Sequence, residues 1–199
     1  MSGMASLMAA VALFAASHLL LAAPTVRQRL VRWIGEAGFR ITFAGLAIIL
    51  LGWVMVAYGS APVVDLWYPP TAVRHLSLSL MPFAFILLVG GLTTANPSLV
   101  GSDSGRVAAA GPRGITKITR HPVMWGMMLW SAVHILANGD LASLLFFGGF
   151  LLTAGLGSLH LDQRMALIQG ERWQRFAAVT SHIPFAAIIS GRQSWSWSE

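Results

Sequence analysis

Cysteine is absent from the 199 residues, which excludes disulfides, thiolate metal sites and cysteine nucleophiles. Any metal or covalent chemistry therefore falls to histidine, carboxylates and hydroxyls. Charge is also scarce: Asp, Glu, Lys and Arg together make up 10% of the chain, seven acids against thirteen bases. At 56% hydrophobic residues and a mean hydropathy of +0.69, such a chain does not stay soluble as a lone globule. Missing too are a Walker-type phosphate loop, a dinucleotide fingerprint, a zinc-protease helix, a nucleophile elbow and any internal repeat.

Long hydrophobic runs are what is present. A hydrocarbon core about 30 Å thick takes about 20 residues of helix, and five runs approach that length, at residues 4–23, 41–58, 76–92, 122–138 and 141–159. No Lys or Arg precedes the first run, while Arg27, Arg29 and Arg32 follow it, so it reads as an uncleaved span with its N-terminus outside. Threading onward puts Arg27, Arg29, Arg32 and Arg40 inside, Asp65 and Arg74 outside, and Arg106, Arg113, Lys117 and Arg120 inside. The Asn138-Gly139-Asp140 turn is then outside, and Arg164, Arg172, Arg175 and Arg192 lie in an inner tail. Of thirteen Lys and Arg residues only Arg74 falls on the outer side, the asymmetry of a topology determinant rather than the stripe of a nucleic-acid binder. The expectation is an all-α, polytopic bundle of about five spans in a bacterial inner membrane, one domain over residues 1–199, with a cytoplasmic C-terminus.

Three connecting segments carry further expectations. Residues 59–70, with Ala61-Pro62, Trp67-Tyr68 and Pro69-Pro70, cannot continue a helix and suit an aromatic belt at the water boundary. Residues 97–114, rich in Gly and Ser, form the longest inner loop. Residues 160–178 place Arg164, Glu171 and Arg175 near one helical face, predicting an interfacial helix with Trp173 and Phe176 dipping into headgroups, followed by a short apolar dip at 183–189. Gly90-Gly91, Gly148-Gly149 and Gly155 suit close helix packing.

Ionisable groups at membrane depth are costly without a partner or a role. His18 and His134 lie within spans, whereas His121 and His160 sit at inner span ends, His75 at an outer end and His182 in the tail. Each suits a backbone carbonyl or serine partner on the one hand and axial ligation of haem iron on the other. His121 and His134 point about 140° apart and lie about 20 Å apart along a helix, so they cannot share one iron. The densest cluster is Ile118-Thr119-Arg120-His121-Pro122-Val123-Met124-Trp125-Gly126, which runs on to Trp130 and then His134 to Asp140. Pro122 suits a first helical turn, and its orphan N–H groups beside Arg120 and His121 predict an anion site, for headgroup phosphate or for a phosphate- or carboxylate-bearing ligand. Trp125, Asn138, Asp140 and His160 complete the candidate set.

Six segments together carry a resemblance. Ser17-His18-Leu19-Leu20-Leu21-Ala22, Ala61-Pro62-Val63-Val64-Asp65-Leu66-Trp67, Asn96-Pro97, Ile118 to Gly126, His134 to Asp140 and Thr180-Ser181-His182-Ile183-Pro184-Phe185 resemble, in order, the NnrU family of bacterial membrane proteins. The resemblance implies two functional settings: nitrite and nitric oxide reduction in denitrifying bacteria, and the haem b chemistry of the related zeta-carotene isomerases, which isomerise a carotenoid double bond in the membrane. By that likeness His18 and His134 correspond to haem ligands, and Ser131 stands near where the isomerases use a cysteine. Helical rise separates His18 and His134 by about 13 Å in depth, whereas two axial nitrogens sit about 4 Å apart. Helix tilt, or replacement of one ligand by His121 or His160, would have to close that gap. Arg120-His121-Pro122, Gly126, Gly170-Glu171-Arg172-Trp173 and Ile183-Pro184 are similar to the isoprenylcysteine and phospholipid methyltransferases, implying S-adenosylmethionine; where those carry an acidic pair this chain has Asp162-Gln163. The expectation is haem-linked chemistry on a lipophilic or nitrogen-oxide substrate, with S-adenosylmethionine-dependent methyl transfer and a non-enzymatic accessory role beside a respiratory reductase as alternatives.

Overall fold

A computed structural model describes residues 3–96, 107 and 110–194, and these are almost wholly helical. In chain order the helices are α1 (Gly3–Ala22), α2 (Pro24–Gly59), α3 (Thr71–Thr93), α4 (Ile115–Ile118), α5 (Pro122–Asn138), α6 (Leu141–Gln169), α7 (Glu171–Val179) and α8 (Ala186–Ile189). Four of them, α1, α2, α3 and α6, are long and apolar enough to cross a membrane, and the chain is a multi-pass membrane protein. The fourth expected span, α5, has 17 residues and so reaches about 25 Å, just short of a hydrocarbon core. Most of the expected loop at 97–114, with Arg106, lies outside the described residues.

Two helix bounds differ from the sequence expectation, each because of a glycine. The segment with Arg27, Arg29 and Arg32 is helical rather than a loop, and Gly35, at φ 72° and ψ 168°, kinks α2 between residues 34 and 36. That backbone region is open to glycine at little cost. Arg27 pairs with Glu36 across the kink, its guanidinium lies 5.0 Å from the Phe39 ring centroid, and Arg40 Nε donates to Glu36 at 3.1 Å. Gly170, at φ 52°, divides the expected helix at 160–178: α6 runs on to Gln169 and α7 starts afresh at Glu171. Trp173 and Phe176 then turn inward. They stack at 5.6 Å and are buried with Met165, rather than dipping into headgroups, because the break redirects the apolar face of α7 onto its own chain.

The helices fall into two compact units, residues 1–80 with 128–160, and residues 81–127 with 161–199. The first has its core among Leu7, Ala10 and Phe14 of α1, Leu50, Val54 and Ala57 of α2, and Ala142, Phe146 and Phe147 of α6. Gly149 lies against Val11 with no room for a side chain, as its sequence setting suggests, whereas Gly148 faces open space and Gly155 meets Met128 Sδ only at an ordinary 3.6 Å. Polar pairs also close this unit: Trp53 Nε1 donates to Ser6 Oγ at 3.1 Å, and Tyr58 Oη lies 2.9 Å from Ser143 Oγ. The non-helical segment after α2 docks on the α5–α6 turn, where the Leu66 and Trp67 amides donate to Gly139 O at 2.8 and 3.0 Å.

In the second unit α3 and α5 pack backbone to backbone. A Cβ at Gly91 would meet Val123 Cγ2 at 2.7 Å, and one at Gly126 would meet Leu88 Cγ at 2.7 Å and Ala84 O at 2.9 Å. Approach this close needs small residues at the contact. Buried Asn96 caps α3, its Nδ2 donating to Gly91 O at 2.8 Å and Thr94 O at 3.0 Å.

Candidate functional site

In the first unit, His18 and His134 repeat one local arrangement. His18 Nδ1 lies 2.9 Å from Phe14 O, and His134 Nδ1 lies 2.7 Å from Trp130 O. In each case the acceptor is the carbonyl four residues back. A carbonyl only accepts, so Nδ1 donates, and in a neutral imidazole Nε2 then keeps its lone pair. That is the state in which imidazole ligates a metal, with the other ring nitrogen fixed by an outer hydrogen bond.

Both rings are half-buried among aromatics. His18 sits 4.1 Å from Phe14 and 5.2 Å from Phe43, centroid to centroid. His134 stacks on Phe147 at 4.5 Å and lies 5.1 Å from Trp130. The series continues from Phe14 to Phe150 at 5.2 Å and from Phe150 to Trp130 at 5.7 Å. The two histidines thus belong to one run of ring contacts. Each imidazole thus has one nitrogen held by a carbonyl, the arrangement an axial ligand needs. Ser131, three residues before His134 and fully buried, has its Oγ without a hydrogen-bond partner. Asn138 ends α5, and Asp140 Oδ1 accepts the Ser143 amide at 2.8 Å, so both serve the turn into α6. His160 joins neither cluster, and its buried Nδ1 has no partner.

The second unit gathers Arg120, His121 and Trp125 with two residues the sequence left apart, Asp162 and His182. Pro122 starts α5, which fixes Arg120 and His121 immediately before its first turn. Arg120 Nε donates to Asp162 Oδ1 and Oδ2 at 2.9 and 3.1 Å, and Nη2 donates to Oδ2 at 2.5 Å. His121, only 1% exposed, brings Nε2 within 2.6 Å of Asp162 Oδ1. The anion beside Arg120 and His121 is therefore a carboxylate of the chain itself.

Residues 180–187 close over this group. The Arg120 amide donates to Ser181 O at 3.0 Å and the Phe185 amide to Ile118 O at 2.8 Å. His182 O accepts both Thr119 Oγ1 and Trp125 Nε1 at 2.7 Å. The His182 ring lies 5.2 Å from that of His121. Burial lowers the His182 pKa, His121 and Arg120 add to that effect, and Asp162 opposes it. The clue in sequence to Asp162 was a carboxylate three residues past the last long apolar run; nothing local marked His182 as its neighbour.

Among the described residues no group of three or more His, Cys, Asp or Glu could hold a metal ion. The family model described as NnrU protein matches residues 6–196. The chain is 28% identical over 165 residues to the chloroplastic 15-cis-zeta-carotene isomerase of Arabidopsis thaliana, covering 80% of this chain and 44% of that protein. It is 29% identical over 164 residues to the corresponding protein of Zea mays, with the same coverage of 80% and 44%. It thus spans less than half the length of these curated relatives. No solved structure matches it.

Proposed function

The chain belongs to the NnrU family, and we propose that it is a haem b-binding membrane protein with isomerase-like chemistry on a lipophilic, unsaturated substrate. The observation that carries this reading is the shared hydrogen-bond state of His18 and His134, each on an apolar helix with Nδ1 tied to the carbonyl four residues back. The likeness to proteins named for carotene isomerisation supplies the substrate class.

His18 and His134 are the residues that would hold the haem. Bound there, haem would supply redox-active iron chemistry. The chain's residues orient and enclose: the Phe14 and Trp130 carbonyls fix the imidazole tautomers, and the aromatic row excludes water and presents flat apolar faces to an extended polyene. Nitrogen oxides are the alternative substrate class, and a place beside a respiratory reductase is compatible with the same reading. Methyl transfer from S-adenosylmethionine ranks lower, because Asp162 is already engaged by Arg120 and His121. The excess of Lys and Arg on one side supports a bacterial inner-membrane location with the N-terminus outside and the C-terminus cytoplasmic.

The test is the visible spectrum, oxidised and dithionite-reduced, of protein expressed with haem precursor and purified in mild detergent. A stoichiometric Soret band with reduced haem b bands is the expected result. A colourless, folded protein overturns the proposal.

A further inference from the structure

Helix α2 is longer than its span requires. Beyond the kink at Gly35, residues 36–59 supply 24 residues, about 36 Å of helix and enough to cross a bilayer unaided. The eleven residues 24–34 are surplus to that crossing. At 100° per residue, Val26, Leu30, Trp33 and Ile34 fall within an arc of about 100°, while Thr25, Gln28, Arg29 and Arg32 occupy a separate arc on the far side. The apolar stripe lacks protein cover at its end, where Trp33 is 85% exposed and Ile34 47%. Arg29 and Arg32 are exposed, and no carboxylate of the described residues pairs with them. Glu36, the sole acid of α2, is occupied by Arg27 and Arg40.

We propose that residues 24–34 are a binding surface for anionic phospholipid, lying in the plane of one leaflet. Arg29 and Arg32 meet headgroup phosphates, while Trp33 and Ile34 enter the acyl boundary. Uncompensated cations on one face with an uncovered Trp-bearing stripe on the other is the pattern of an interfacial helix selective for acidic lipid. The Arg27–Glu36 pair and the Arg27–Phe39 contact hold the segment at the angle that Gly35 permits.

The test is native mass spectrometry of the detergent-purified full chain, titrated separately with dioleoylphosphatidylglycerol and dioleoylphosphatidylcholine. Each arginine near an acidic surface contributes roughly a five-fold change in affinity, so the wild-type protein should prefer phosphatidylglycerol by roughly ten-fold or more. Arg29→Gln with Arg32→Gln should abolish the preference and leave phosphatidylcholine binding unchanged. Arg29→Lys with Arg32→Lys should keep most of it, which separates charge from misfolding. Trp33→Ser should weaken both lipids. Equal binding of the two lipids by the wild-type protein, or an undiminished preference in the glutamine variant, overturns the proposal. Loss of the preference in an Arg172→Gln, Arg175→Gln variant of α7 instead would also overturn it, by moving the site.

Discussion

His121 Nε2 and Asp162 Oδ1 lie 2.6 Å apart although 41 residues separate them in the chain, and the same carboxylate takes a forked donor from Arg120. One acid thus engages two neighbouring groups at the start of α5. Removing one member of such a set leaves the others desolvated and uncompensated. Asp162→Asn is expected to destabilise the protein by about 3 kcal/mol, read as a lowered unfolding temperature in mild detergent. Glu171→Gln, at the exposed 3.6 Å pair with Arg175, should leave it unchanged.

The docked segment at 180–187 should respond to acid. The pKa of His182 is lowered from its ordinary 6.5 in the folded protein by burial, with His121 and Arg120 reinforcing and Asp162 opposing. The unfolded or undocked state then binds more protons just below that value, so docking free energy rises with pH. It is complete above pH 6.5 and is lost progressively as the pH falls through the lowered value. Hydrogen exchange at the Phe185 and Ala187 amides should therefore accelerate on acidification beyond the intrinsic trend, and His182→Gln should flatten the dependence. An unchanged profile in His182→Gln would assign the effect to another group.

Packing makes opposite demands on two helical glycines. Gly126→Ala places a methyl 2.7 Å from Leu88 Cγ and 2.9 Å from Ala84 O, a backbone atom that cannot swing away. A loss of about 1–3 kcal/mol is expected. Gly148→Ala meets nothing within 4 Å, so the helix-propensity gain of up to about 1 kcal/mol is left unopposed. Thermal unfolding of the two variants should shift in opposite directions.

Haem content should depend on the two intramembrane histidines. With Nδ1 of each held by a carbonyl, His18→Ala and His134→Ala, each folded, should both lose bound haem. Pyridine haemochrome assay of both variants decides this. Full haem content in either variant would remove that histidine from the ligand set.

Much of the fold was legible because a membrane span needs a long apolar run, and the runs at residues 4–23, 76–92 and 141–159 have that length. Gly35 and Gly170 were harder. A lone glycine in helical sequence is tolerated as often as it breaks, and only the backbone angles distinguish the cases. Trp173 and Phe176 were misplaced for a related reason: amphipathic spacing fixes that a face is apolar, while its covering, lipid or the chain's own Met165, is a tertiary matter. The Arg120-His121 dipeptide announced an anion, yet its identity as Asp162 depended on a pairing across 42 positions that no local pattern encodes. His18 and His134 were visible as the two histidines inside spans; their common Nδ1 anchoring was not, since any residue four places back supplies a carbonyl.

The pairing of residues 180–187 with residues 118–125 also orders events during synthesis. Helices α1 to α3 can enter the bilayer as soon as they are made. The indole N–H of Trp125, the hydroxyl of Thr119 and the carbonyl of Ile118 must wait for partners translated some sixty residues later. Until then the start of α5 carries unmet polar groups at the margin of the membrane, so this part of the chain reaches its final state only after Phe185 has left the ribosome.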